Sequence, residues 1–374
     1  MKVLFISSWY PNSTNALKGL YIKKHAQAIH AAGVNIQVLA LTVNPSKKVF
    51  EKKVYKVIDD KGIVTHLIEL NSRFYKFLHL DLFLQFSFLK KYFYKNIVKE
   101  FNPDIIHSNV LYPAAIMGHW LAKKENKPHI ITEHWSGVDK FLNKSLYSGL
   151  AKKAYSEAKY ITAVSGFLKN TLTKQASAEK IIIVPNVVNT ERFCYNEKKR
   201  EADKIIFSCA AHWGRPKRPD LIFNALEEIS KKIKQKIVLN VVGVGHLINE
   251  LKKPEWNFEI NYLGNLVPEK LAEVMQGSDY FLHASEMETF SIVIAEALST
   301  GTPVLASNVG AVSELINLKN GVLCENNLES WTNSILELIN KNDFDRKEIS
   351  KEVEKFGKKN IGEQFLRLYN YKPV

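Results

Sequence analysis

Two glutamates, Glu288 and Glu296, stand eight residues apart in the segment Ser285-Glu-Met-Glu-Thr-Phe-Ser-Ile-Val-Ile-Ala-Glu-Ala-Leu-Ser-Thr-Gly-Thr-Pro303. A carboxylate can accept hydrogen bonds from two adjacent sugar hydroxyls, so a pair of carboxylates suits a ligand that carries two sugar rings. The pattern around them reads as strand, polar loop and helix. Tyr280 to His283 is a short apolar run, the apolar residues from about Phe290 fall at helical spacing, Gly301 suits a left-handed cap and Pro303 blocks continuation. In open parallel sheets ligands collect at the carboxyl ends of strands, where helix N-termini offer unpaired N–H groups to phosphates. Glu288 is expected in such a loop and Glu296 on the helix; read from the residues alone, both could equally be surface glutamates near a helix start.

Other chemistry-bearing residues fall at similar places. The basic turn His212-Trp-Gly-Arg215-Pro-Lys217-Arg follows the apolar run Ile205–Ala210. Gly19 opens a helix after the first apolar run, and a glycine there lets backbone approach a phosphate or sugar closely. His134 ends the run Ile130-Ile-Thr-Glu-His134, whereas His107, inside an apolar run, reads as structural. Asp343-Phe-Asp345 spells a D-x-D pattern of the kind that binds divalent cations, but it sits between tail helices rather than at a strand end and is set aside. No cluster of His, Cys or carboxylates elsewhere has metal-ligand spacing.

The elements that must position these residues alternate along the chain. Strands are expected at Lys2–Ser7, Asn35–Leu41, Ile105–Ser108, His129–Thr132, Tyr160–Val164 and Lys180–Val184, then at Ile205–Ala210, Lys236–Val242, Ile260–Leu263, Tyr280–His283 and Val304–Ala306. Amphipathic stretches of helical length lie between them. Leu20 to Ala32 places Ile22, Ala26, Ile29 and Ala32 on one face, with Gly33 positioned to end the helix. Such alternation predicts an α/β fold of doubly wound parallel sheets. A chain of 374 residues exceeds one core. The segment Pro185–Phe193 and the charged run Asn196–Lys204 lose both periodicities, which predicts a boundary there, with an N-terminal domain over 1–190 and a second over 191–355. The charged tail reads as mostly helical, and a helix over 356–374 is expected to cross back to the first domain.

Composition narrows the partners. With 46% hydrophobic and 24% charged residues the chain can build real cores, which argues against disorder. Cys194, Cys209 and Cys324 are odd in number and widely spaced, fitting neither a disulfide framework nor a zinc cluster and pointing to a reducing, cytoplasmic compartment. The start reads as a first strand rather than a secretory segment, since Trp9, Tyr10 and Pro11 follow a short apolar run. No stretch of about 18 uncharged apolar residues exists. A net charge of +14 calls for anionic partners, yet the lysines are scattered and carry no nucleic-acid signature, so no nucleic acid is expected. The stretch from Arg73 to Phe101, dense in Phe, Tyr, Leu and Lys, reads either as helices packed on the core or as an anionic membrane surface or lipid-acceptor face.

The segment Ser285–Pro303 resembles the E-x7-E motif of retaining GT-B glycosyltransferases of family 4. Glu288, Glu296, Phe290, Ala297, Gly301, Pro303 and Val304 keep their places, while Thr289 and Ser291 replace two usual glycines. Lys217, Asp220 and Leu221 match the family's basic loop; its arginine would fall on His212, leaving open whether Arg215 or His212 takes that part. Weaker echoes, including Ala163-Val-Ser165, Val242-Gly-Val-Gly245 and Gly310 with Glu314, extend the resemblance over nearly the whole chain. What it implies is two Rossmann-like domains facing a central cleft. It also implies Lys217, with Arg215 or His212, on a donor diphosphate, Glu296 on the nucleotide ribose, and Glu288 with the backbone of Thr289, Phe290 and Ser291 on the donor sugar. His134 would face that sugar, Gly19 would approach the donor, and backbone around Asn265 and Leu266 would hold the base. The implied activity is retaining transfer from a UDP- or GDP-sugar to a saccharide or lipid-linked saccharide, without metal or other cofactor, in cell-surface polysaccharide synthesis. Competing readings are a nucleotide-sugar epimerase or phosphorylase of the same architecture and a non-catalytic sugar-binding protein. A nicotinamide-dependent dehydrogenase would need the third glycine and acidic partner that Gly243-Val-Gly245 lacks.

Overall fold

The computed structural model describes residues 1–197, 203–252, 255–341 and 343–370; most of the charged run expected at 196–204 and the last four residues of the tail lie outside these. The chain forms two compact units, Met1–Val187 with Lys358–Val374, and Val188–Gly357.

The first unit is built on an eight-stranded sheet: β1 (Lys2–Ser7), β2 (Asn35–Pro45), β3 (Glu51–Ile58), β4 (Val64–Ser72), β5 (Ile105–Asn109), β6 (His129–Glu133), β7 (Tyr160–Ala163) and β8 (Ile181–Ile183), in the order β3-β4-β2-β1-β5-β6-β7-β8. Seven strands run parallel, and β3 pairs antiparallel with β4 at the edge. Runs such as Lys2-Val-Leu-Phe-Ile-Ser7 form central strands because helices cover both faces of a parallel sheet and every position from Val3 to Ser7 is buried. Strand order reverses between β1 and β5, in register from Val3 opposite Ile105 to Ser7 opposite Asn109.

The strands β3 and β4, and Gly321–Cys324 in the second unit, were not expected. In β4 the polar residues Thr65, His66, Glu69 and Asn71 interrupt the apolar signal, yet the last three are buried: His66 lies between the Tyr92 hydroxyl and Gln37, and Glu69 accepts from the Ser13 backbone N–H at 2.7 Å and its hydroxyl at 2.6 Å. Exposed and lysine-rich, β3 shows the charges that protect a sheet edge from further pairing.

The helix Leu20–Ala31 buries Ile22, Ala26 and Ile29 and ends at Gly33, whose φ is 87°. Ala32 is its C-cap and only half-buried. The tail helix Lys358–Asn370 packs along it, burying Ile361, Phe365 and Leu368 in the same core as Ile22 and Ala26. A Cβ at Gly362 would lie 2.3 Å from the Ala28 carbonyl, so glycine sets how closely these two helices approach. His107 is structural as expected, buried between Tyr369 Oη and Thr132 Oγ1 at 2.6 Å each.

The second unit holds β9 (Lys204–Ala210), β10 (Lys236–Val242), β11 (Glu259–Gly264), β12 (Tyr280–His283), β13 (Val304–Ser307) and β14 (Gly321–Cys324), all parallel, in the order β11-β10-β9-β12-β13-β14. Here the reversal falls between β9 and β12, so the loops leaving those two strands flank the crevice in which such sheets bind ligands.

Candidate functional site

The loops after β9 and β12 are joined backbone to backbone. Lys217 bridges to Ser285, the Glu286 N–H donates to the Pro216 carbonyl at 2.8 Å, and the Arg218 N–H donates to the Ala284 carbonyl at 3.1 Å. Behind them Trp213 is buried and donates its indole N–H to Val242 at 2.9 Å, while Gly243, at φ 100°, lets the Ala211 carbonyl come where a Cβ would be 1.9 Å away. The basic turn is therefore clamped to the sheet and not a mobile surface loop.

This joint brings Lys217 onto Glu288. The two form an ion pair, with side chains only 19% and 11% exposed. His283, the last residue of β12, completes the cluster: its Nε2 lies 2.8 Å from Glu288 Oε1, 3.3 Å from Lys217 Nζ and 3.4 Å from Ser291 Oγ. Burial, and then the Lys217 charge, lower the His283 pKa against the pull of Glu288, so the imidazole is neutral near pH 7 and donates to the carboxylate. Burial works to raise the Glu288 carboxyl, but its interactions with His283 and then Lys217 outweigh it and bring the pKa down to about 2. An ionised carboxylate and an ammonium are thus held together in a partly desolvated place, where charge acts more strongly than in water.

The helix beside the cluster, Ile292–Ser299, starts two residues later than expected and is preceded by Ser291 at φ 66° and ψ 79°. That left-handed conformation explains why related sequences place glycine there. Phe290 is buried edge-to-face on Phe356 at 5.3 Å, so its side chain packs and its backbone is what the loop can present. The Glu288 carbonyl accepts from the Ala311 N–H at 3.0 Å, and a Cβ at Gly310 would meet that carbonyl at 2.0 Å, so the loop after β13 supports the loop after β12. Glu296 is buried on the second turn of the helix, and Thr289 is half-buried in the loop.

His212 and Arg215 are exposed, and Arg218 is held by Asp220 through contacts of 2.7 to 3.1 Å. Asn265 and Leu266 follow the edge strand β11. Asp345 caps the helix Arg346–Val353, accepting from the N–H groups of Lys347 and Glu348, which accounts for the second aspartate of the D-x-D.

In the first unit, Gly19 stands at φ 63° before the helix Leu20–Ala31, and a Cβ there would be 2.0 Å from the Trp9 carbonyl. The close approach that requires glycine is thus made by the protein's own backbone. His134 is buried beside Tyr21 at 4.8 Å and His25 at 5.2 Å; burial and then His25 hold it neutral, well below the usual histidine range. Glu133, before it, ends β6 fully buried and accepts from the N–H groups of His134, Trp135 and Leu111 and from the Tyr155 hydroxyl, all within 2.9 Å. Burial raises its pKa against these donors.

Sequence reasoning missed His283, Glu133 and Glu69. His283 and Glu133 are polar residues at the last position of an apolar strand, and that position was the available signal.

Comparison with known proteins gives the family and the fold. The model described as "Glycosyl transferases group 1" matches residues 192–359, and "Glycosyltransferase Family 4" matches residues 19–192. An uncharacterized glycosyltransferase of Methanocaldococcus jannaschii is 29% identical, over 96% of this chain and 94% of its own. The alpha-monoglucosyldiacylglycerol synthase of Streptococcus pneumoniae is 23% identical, over 73% of this chain and 67% of its own. Among solved structures, Anabaena HepE in complex with UDP-glucose superposes with a TM-score of 0.71 at 16% identity, covering 99% of both chains. With two parallel α/β units of this order and both family models matching in sequence, the chain belongs to the family 4, group 1 glycosyltransferases of GT-B fold and is a transferase enzyme.

Proposed function

We propose that this glycosyltransferase moves a sugar from a UDP- or GDP-sugar to a saccharide or lipid-linked saccharide acceptor, with retention of anomeric configuration, in building a cell-surface polysaccharide. The observation that carries the reading is the Lys217–His283–Glu288 cluster at the reversal of strand order in the second unit, beside a helix N-terminus. When the bond between the anomeric carbon and the diphosphate breaks, negative charge grows on the leaving phosphate and positive charge on the sugar. A preorganised ammonium and the N–H groups opening the helix Ile292–Ser299 stabilise the first, and the reading needs no metal for it.

In this reading Lys217 contacts the diphosphate and Glu288 the donor sugar, with His283 holding the carboxylate in place. Glu296 takes the ribose, the backbone of Thr289 to Ser291 lines the sugar, and the Asn265–Leu266 loop takes the base. Arg215, exposed on the clamped turn, is the nearer candidate for the second cation, with His212 beside it in sequence. His134 and Gly19 shape the first unit's strand ends for the transfer. UDP-glucose in the Anabaena relative makes a UDP-sugar the first donor to try, and the glycolipid name of the S. pneumoniae relative supports a lipid-linked acceptor at the cytoplasmic face of a membrane. Incubation with UDP- and GDP-sugars and membrane extract tests this: sugar transferred in the donor's anomeric configuration is expected, whereas donor isomerised without acceptor supports the epimerase reading.

A further inference from the structure

The helix Tyr75–Leu80, of sequence Tyr-Lys-Phe-Leu-His-Leu, has no buried residue. Ordinary surface helices place such residues on a core, and this one turns them outward: Phe77 is 73% exposed, Leu80 60% and Phe74 47%. What fixes the helix is its backbone. The Tyr112 hydroxyl donates to the His79 carbonyl and the Tyr147 hydroxyl to the Leu80 carbonyl, both at 2.6 Å, and Gln85 Nε2 donates to the Leu78 and His79 carbonyls. The following helix, Leu82–Asn96, is seated normally through Leu82, Leu89 and Phe93 but leaves Phe83 64% exposed. The aromatic stretch seen in the sequence therefore divides into a core helix and an outward knob.

Two further observations say what covers the knob. Phe74, Phe77 and Leu78, with Val49 and Phe50 from the segment after β2, line an open, largely apolar pocket of about 290 Å³ rimmed by Ser72 and Asp81, so these apolar side chains form one continuous face. The face is also cationic. Within Arg73–Phe83 stand Arg73 and Lys76, with Lys47 and Lys48 just before Val49, against one acidic residue of the stretch, Asp81, which is engaged in capping the helix Leu82–Asn96. The Arg73 guanidinium lies 4.8 Å from the centre of the Phe74 ring, and Lys52 lies 5.2 Å from that of Phe88. Outward aromatic and aliphatic residues set among cations match the boundary of an anionic bilayer, where rings enter the headgroup layer and ammonium groups meet phosphates.

We infer that this face, Val49–Phe50 with Arg73–Phe83, docks the enzyme on an anionic phospholipid bilayer. The inference rests on the membrane-side acceptor proposed above and gives it a place on the molecule. The helix Tyr75–Leu80 follows β4 directly, so the face lies at the carboxyl edge of the first unit's sheet, the edge that also ends at His134.

The test is co-sedimentation of the full chain with phosphatidylcholine vesicles, alone or with phosphatidylglycerol, alongside thermal shift by UDP- and GDP-sugars. Wild-type protein should sediment with the anionic vesicles, release in high salt and stay in solution with neutral ones. The double variant Phe74→Ser/Phe77→Ser should lose roughly tenfold or more in vesicle affinity, and Arg73→Glu/Lys76→Glu at least as much, with the nucleotide shift unchanged as a control of folding. Wild-type protein that ignores anionic vesicles, or variants that bind them as well as it does, would overturn the inference. So would a wild-type dimer that the Phe variants dissolve, since the face would then belong to a second copy. Vesicle binding without any nucleotide shift would leave the docking face standing and remove the donor reading.

Discussion

Each unit begins its helix at the order-reversing edge with a residue in the left-handed region, Gly19 at φ 63° and Ser291 at φ 66°. The backbone device is the same, but its surroundings differ. At Gly19 the Trp9 carbonyl fills the place of a Cβ, whereas Ser291 carries a side chain whose hydroxyl lies 3.4 Å from His283. The contrast runs through both edges. The first unit's edge is tightly packed, with His25 and His134 buried against one another and neutral. The second unit's edge gathers an ammonium, a carboxylate and a neutral imidazole. In the proposed function the charged leaving group is assigned to the second edge and the neutral sugar acceptor to the first.

The sharpest way to break this division is Lys217→Ala, which should lower kcat by about 10²–10³ in a donor-turnover assay, with Lys217→Arg recovering part of the loss. Phe77→Ser should leave turnover of a water-soluble acceptor unchanged; equal losses in both variants would end the proposed separation of roles.

Acid should separate the units next. His25 and His129 have folded pKa values of about 4 and about 3, below the ordinary 6.5, because burial disfavours the charged ring. The stability they supply is complete above about pH 6.5 and falls away as pH drops towards the folded values, on the order of 3 kcal/mol for His25. Glu288, brought down to about 2, supplies stability that is complete above about pH 4.5 and is lost only as pH falls towards 2. Hydrogen exchange followed by mass spectrometry between pH 7 and 4 should therefore show peptides from 20–31 and 129–134, where His25, His129 and His134 all have lowered pKa values, losing more protection than those spanning the loop after β12, where His283 alone is lowered and Glu288 stays ionised. The reverse order would contradict the assigned protonation states.

The two left-handed residues give the smaller effects, of opposite sign. Gly19→Ala should cost about 2–3 kcal/mol, because a Cβ there meets backbone as well as an unfavourable φ. Ser291→Gly should raise stability by less than about 1 kcal/mol, since relief at φ 66° exceeds the entropy cost of glycine by little. Chemical denaturation of both variants checks the pair.

How much of this was legible in the sequence follows the same line. Central strands bury most of their positions, so apolar runs marked them, and Lys217 and Glu288 stood out through motif spacing. The strands β3 and β4 were not legible because His66, Glu69 and Asn71 are buried with polar partners that only the fold supplies. His283 was hidden for a related reason: its importance comes from meeting Lys217, 66 residues away, across the joined loops. The outward turn of Phe77 was equally unreadable, since it depends on Tyr112 and Tyr147 gripping the helix from other elements.

The most direct test of the central claim is thermal unfolding of the wild type, Lys217→Ala and Glu296→Ala with UDP, GDP and their common sugar conjugates. At about 100 times its dissociation constant a ligand adds roughly 2.7 kcal/mol of stability. The account predicts stabilisation of the wild type by one nucleotide family and its loss in both variants. Full stabilisation retained in both variants, or none in the wild type with any nucleotide, would contradict it.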